Sequence, residues 1–112
     1  MLFGKPSKRP KHPNRMNDGD AEWVLRRDGE CVIAKLARWG WLVPREPCPT
    51  DTMTGRQTIE HTLRLGGRRV HDVRHMVRMC WHHNVNGEAS RSREQVRRYL
   101  DQIHPGSIAG AE

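Results

Sequence analysis

Long apolar runs are missing from this chain of 112 residues, and only 35% of its residues are hydrophobic. Nothing approaches the roughly 18 consecutive apolar residues of a membrane span. The N-terminal stretch carries Lys5, Lys8, Arg9 and Lys11 with no apolar segment after them, so no secretory signal is expected. The expectation is a soluble, cytoplasmic protein without a membrane partner. Cysteine is also scarce: three residues, at 31, 48 and 80, an odd number that leaves a thiol over from any disulfide framework. Apolar surface this thin gives a small domain little core to stand on.

What is abundant is positive charge. Lys and Arg total 20 against 13 Asp and Glu, a formal net charge of +7. Sixteen of the twenty are Arg, whose planar fork matches phosphate oxygens bidentately, so the composition points to a nucleic-acid partner. Residues 1–17 hold five basic residues, no acidic ones, and Pro6, Pro10 and Pro13. They read as a disordered basic arm, residues 18–104 as one domain, and residues 105–112 as a flexible tail.

Within the domain, Asp20 is placed to cap a helix over 21–27, with Trp23 and Val24 facing inward, and Asp28-Gly29 reads as a turn. Leu36, Trp39, Trp41 and Leu42 form an apolar group expected in the core. Residues 57–65 read as one extended run ending at Gly66-Gly67, and 75–80 as a second strand. Ser92 to Gln95 has the form of a capping box, and Val96, Tyr99, Leu100 and Ile103 recur at helical spacing behind it. The order is strand, loop, strand, helix, a small α+β domain.

Cys80 and His83 stand as C-x2-H after the second strand, a spacing that lets a tight turn aim both at one cation. Cys31 and Cys48 are the remaining thiols, so Cys31, Cys48, Cys80 and His83 make a tetrahedral set for a structural Zn2+; His82 is an alternative to His83. Glu60-His61 ends the first strand, His75 opens the second and Asn84 follows the knuckle. A divalent ion on Glu60 and Asn84 would leave His61 free to deprotonate water. Arg64, Arg68, Arg69, Arg74 and Arg78 are expected to contact a phosphate backbone, and His71 to lie at the surface or on a phosphate.

Arg27-Asp28-Gly29-Glu30-Cys31, T-I-E-H at 58–61 and H-M-V-R-M-C-W-H-H-N at 75–84 together resemble the HNH endonuclease family. The likeness is to the short HNH proteins of actinobacteriophages and their hosts, and it covers about residues 20–103. It implies a ββα-metal (His-Me finger) domain with a zinc knuckle that hydrolyses DNA phosphodiester bonds with Mg2+ or Mn2+. By the same resemblance His61 matches the general base, Glu60 the acidic metal ligand, His75 the central asparagine, Cys80 and His83 the knuckle ligands, and Asn84 the final metal-binding histidine. Glu stands for Asp at 60, His for Asn at 75 and Asn for His at 84. Two alternatives are a zinc-containing module that binds nucleic acid without cutting it and an accessory protein of phage packaging or assembly, partnered with packaging proteins in the host cytoplasm.

Overall fold

A computed structural model describes residues 16–105, so the basic arm, apart from Met16 and Asn17, and the tail beyond Pro105 lie outside the described residues. The first helix, α1 (Asp18–Asp28), begins two residues ahead of Asp20. Asp20 therefore sits buried within the first turn instead of capping it, and Ala21 N–H bonds the Asn17 carbonyl at 3.0 Å. Val24 is fully buried, while Trp23 is only partly covered, its ring 5.8 Å from that of His104. Gly29 ends the helix at φ 77°, the left-handed conformation that a residue without Cβ adopts at little cost.

A second helix, α2 (Val32–Arg38), follows at once and buries Val32, Ile33 and Leu36. It stops at Gly40, where Gly40 N–H bonds Ala37 O at 3.0 Å and Trp41 N–H bonds Leu36 O at 2.9 Å. That pair of bonds is a Schellman ending. Trp41 and Leu42 pack on the core as expected, but Trp39 is 46% exposed, because this ending turns it outward to meet Trp41 edge-on at 5.4 Å.

The central sheet has two antiparallel strands, β1 (Gln57–His61) and β4 (Met76–Cys80), with Gln57 opposite Cys80 and His61 opposite Met76. Between them a short hairpin pairs β2 (Arg64–Leu65) with β3 (Arg68–Arg69). Its turn, Gly66-Gly67, has φ of 60° and 80°, the doubly positive form that suits a two-residue hairpin. The single run expected over 57–65 is broken after His61: Thr62 N–H still bonds the His75 carbonyl at 2.8 Å in the β1–β4 register, and the chain then leaves that partner for the hairpin. His75 itself ends a 3-10 turn, Val73–His75, just ahead of β4.

Three helices complete the fold: α3 (Trp81–Val85), α4 (Glu88–Arg91) and α5 (Arg93–Ile103). No capping box forms at Ser92. Its own N–H bonds Glu88 O at 3.0 Å, which holds it to α4 and away from the extended backbone that a capping side chain needs. The hydrophobic core joins α2, β4 and α5 through Ile33, Leu36, Val77, Met79, Val96 and Leu100. No helix among the described residues is long and apolar enough to cross a membrane.

A buried ionic network ties the layers together. Asp28 accepts Arg27 Nε and Nη2 at 2.8 and 3.0 Å, the Arg78 backbone N–H at 2.8 Å and the Tyr99 hydroxyl at 2.6 Å. Arg27 reaches on to the carbonyls of Val73 at 2.7 Å and Met76 at 2.6 Å. The Arg27-Asp28-Gly29 segment is therefore a staple holding α1 to β4 and α5. Burial and the Asp28 carboxylate beside it push the Tyr99 hydroxyl well above its ordinary range.

Candidate metal centre and active-site cleft

Three separate pieces of chain deliver the four donors of the candidate metal centre. Cys31 lies between the Gly29 turn and α2, Cys48 on the proline-rich loop, Cys80 at the end of β4 and His83 on α3. Their ligand atoms all lie within 4.8 Å of one another. His83 Nδ1 is 3.4 Å from Cys80 Sγ and 3.7 Å from both Cys31 Sγ and Cys48 Sγ. A tetrahedral ion with Zn–S of about 2.3 Å and Zn–N of about 2.0 Å sets sulfur–nitrogen edges near 3.5 Å, so the four residues have the spacing for such an ion. This group can hold a metal ion such as zinc.

The surroundings choose His83 over His82. His83 is buried and its Nε2 donates to the Glu46 carbonyl at 2.7 Å, which leaves Nδ1 bare for a metal. His82 turns outward to the Glu46 carboxylate. Burial is the leading cause that pushes the Cys48 and Cys80 thiols upward. The first amides of α3 are anchored as well: Trp81 N–H bonds Arg56 O at 2.7 Å and His82 N–H bonds Thr54 O at 2.9 Å. Gly55 lies between those two acceptors, where a Cβ would stand 2.4 Å from the Pro49 carbonyl oxygen.

A second constellation sits at the other end of β1. Strand alternation puts Glu60 on the same face as Thr58. Asn84, one residue beyond His83, donates its amide to Thr58 Oγ1 at 2.9 Å and to Ile59 O at 3.4 Å. Asn84 and Glu60 therefore serve one face of one strand. His61 is 6% exposed, and its Nε2 lies 3.1 Å from His71 Nδ1. Burial first, then His71, Arg69 and Arg64, lowers His61 to about 4, so the ring is neutral at ordinary pH. Burial raises the Glu60 carboxyl, opposed by Arg64 and Arg69.

His75 acts through its main chain. Its carbonyl accepts Thr62 N–H at 2.8 Å and its N–H donates to Asp72 O at 2.7 Å, which fixes the residue that follows His61. The ring is buried, and burial lowers its pKa.

Glu60 and His61 open onto a cleft of about 360 Å³ whose opposite wall is Ala89, Ser90, Arg93, Val96 and Arg97. Arg93 and Arg97 are one helical turn apart, visible in the sequence as charges off the apolar stripe of α5 but not assignable there to this cleft. Nothing in the sequence ties His71 to His61. Of the arginines expected on a phosphate backbone, Arg64, Arg68 and Arg69 are exposed on the hairpin, and Arg74 is exposed while pairing with Asp72 at 2.8 Å. Arg78 departs from that expectation: it turns inward to Gln57 Oε1 at 2.7 Å and Leu25 O at 2.9 Å. Comparison of the chain with protein-family models, curated proteins and solved structures returns no match.

Proposed function

We propose that the chain is a metal-dependent DNA endonuclease of the HNH type, its β1, β4 and α3 forming a ββα-metal domain around a structural zinc. The observation that carries this reading is a buried, neutral histidine beside a carboxylate, facing two arginines across a cleft. A neutral imidazole accepts a proton, and guanidinium groups hold a phosphodiester in front of it. The oxygen donors Glu60 and Asn84 suit a hard cation such as Mg2+ or Mn2+.

His61 takes one proton from a water. The water oxygen forms its bond to phosphorus while the opposite ester P–O bond breaks, and the leaving oxygen departs with that bonding pair and is protonated by solvent. Arg93 and Arg97 steady the phosphate charge through the displacement. A divalent ion on Glu60 and Asn84 would supply further neutralisation of that phosphate and of the leaving oxygen.

Zinc-loaded protein incubated with supercoiled plasmid and Mg2+ or Mn2+ is expected to give nicked and linear products. His61→Ala should lower the rate by about 100-fold to 10,000-fold with zinc content and DNA affinity unchanged. A wild type that never cuts, or a His61→Ala protein that cuts equally well, leaves the second reading, a zinc module that binds nucleic acid without cutting it. The exposed arginines of the hairpin are the feature that favours that reading.

A further inference from the structure

We infer that His71 is a positioning residue for His61: it accepts a hydrogen bond from His61 Nε2–H and so fixes the tautomer whose Nδ1 carries a free lone pair. The inference rests on the proposed role of His61 as the base. Its starting point is the 3.1 Å approach of His61 Nε2 to His71 Nδ1, with the rings nearly perpendicular at 87° and their centroids 4.9 Å apart.

Two nitrogens at that distance share one proton. If His71 were the donor, neutral His61 would carry its own proton on Nδ1 and have no lone pair left for water. If His61 is the donor, Nδ1 is bare and the ring is a competent base. Only the second arrangement is compatible with the proposed chemistry.

The hairpin explains how a residue ten positions along the chain returns to the base. The Gly66-Gly67 turn reverses the chain, Leu65 pairs with Arg68 and Arg64 with Arg69, and Val70 N–H bonds Leu63 O at 3.0 Å. His71 is the next residue, delivered beside His61 by main-chain bonds on both sides of the turn.

The test uses the full zinc-loaded chain, with plasmid cleavage and 15N imidazole spectra of His61 as readouts. His71→Ala should lower kcat about 10-fold to 100-fold, the range for partners that orient a working side chain, with KM within about twofold. His71→Asn, whose amide oxygen can accept the same bond, should recover most of the rate; His71→Lys, a donor only, should not. The spectra should show His61 protonated on Nε2 in the wild type and a mixture of tautomers in His71→Ala. Wild-type kcat in His71→Ala, no recovery by Asn, or an unchanged His61 tautomer overturns the inference. Cleavage by His61→Ala at the wild-type rate overturns instead the reading of His61 as base, and the spectra still decide whether His71 sets its tautomer.

Discussion

The metal centre and the cleft lie at opposite ends of β1 and are built on opposite plans. At the metal centre Cys31 and Cys48 converge from distant pieces of chain on the Cys80–His83 knuckle, and no thiol is spare. At the cleft, Glu60 and His61 are neighbours in sequence, while the groups that give them their character, His71, Arg93 and Arg97, come from a hairpin and a late helix. A site defined by scarce residue types can be read from a sequence, because three cysteines leave few combinations. A site defined by common residues in uncommon surroundings cannot.

The largest effect expected is at the metal centre. A structural zinc contributes on the order of 10 to 16 kcal/mol of apparent binding energy in small domains, more than a core this modest supplies. Chelation, or Cys80→Ala, should abolish the cooperative thermal transition and reduce helical circular dichroism; folded protein with no zinc by elemental analysis would erase the contrast between the two sites.

Next comes the ionic staple, which touches neither site. Asp28→Ala would strand the Arg27 guanidinium, whose side chain is only 10% exposed, and should cost about 3 to 5 kcal/mol in urea denaturation of zinc-loaded protein. A loss below about 1 kcal/mol would show that the metal alone organises the fold.

Acid stability separates the sites further. His61 titrates at about 4 in the folded chain against an ordinary 6.5, so the unfolded chain binds the extra proton in between. Its contribution is complete above pH 6.5 and is lost as pH falls from there through about 4, up to about 3 kcal/mol in all. His61→Gln, which keeps every zinc ligand, should therefore lose less stability than the wild type between pH 6.5 and 4.5. Parallel curves for the two proteins would place the acid sensitivity in the metal centre.

The smallest effect is expected on the proposed binding of DNA by the hairpin. Replacing both Arg68 and Arg69 with Gln should reduce the slope of log affinity against log salt by just under two units, at about 0.9 for each phosphate that an arginine no longer neutralises. An unchanged slope would remove the hairpin from the interface and leave α5 as the surface that meets DNA.

Much of the frame is legible in the sequence. Cys31, Cys48, Cys80 and His83 can be read as a set, β4 from its alternation, and α5 from Val96, Tyr99 and Leu100 at helical spacing. The departures have physical causes. Residues 32–38 fold as a helix that the short apolar segment does not announce, although Gly40 is an available stop signal. The Ser92 capping pattern fails because the preceding helix claims the Ser92 backbone first. The pairing of His71 with His61 is invisible because it depends on how the hairpin returns, and two histidines ten residues apart carry no periodic signature.

The proline-rich loop, with Cys48 at its centre, has a mechanical consequence. An ion gripped by Cys31, Cys48, Cys80 and His83 closes everything between Cys31 and His83 into a ring. Tension applied at the two ends of the described chain would be carried by α1, α4 and α5, which lie outside that ring, until a metal bond gave way. His61 and the hairpin are inside and would feel none of it, while Arg93 and Arg97 are outside. The two walls of the cleft thus belong to different mechanical units, and peeling α5 away would open the cleft with its floor still intact.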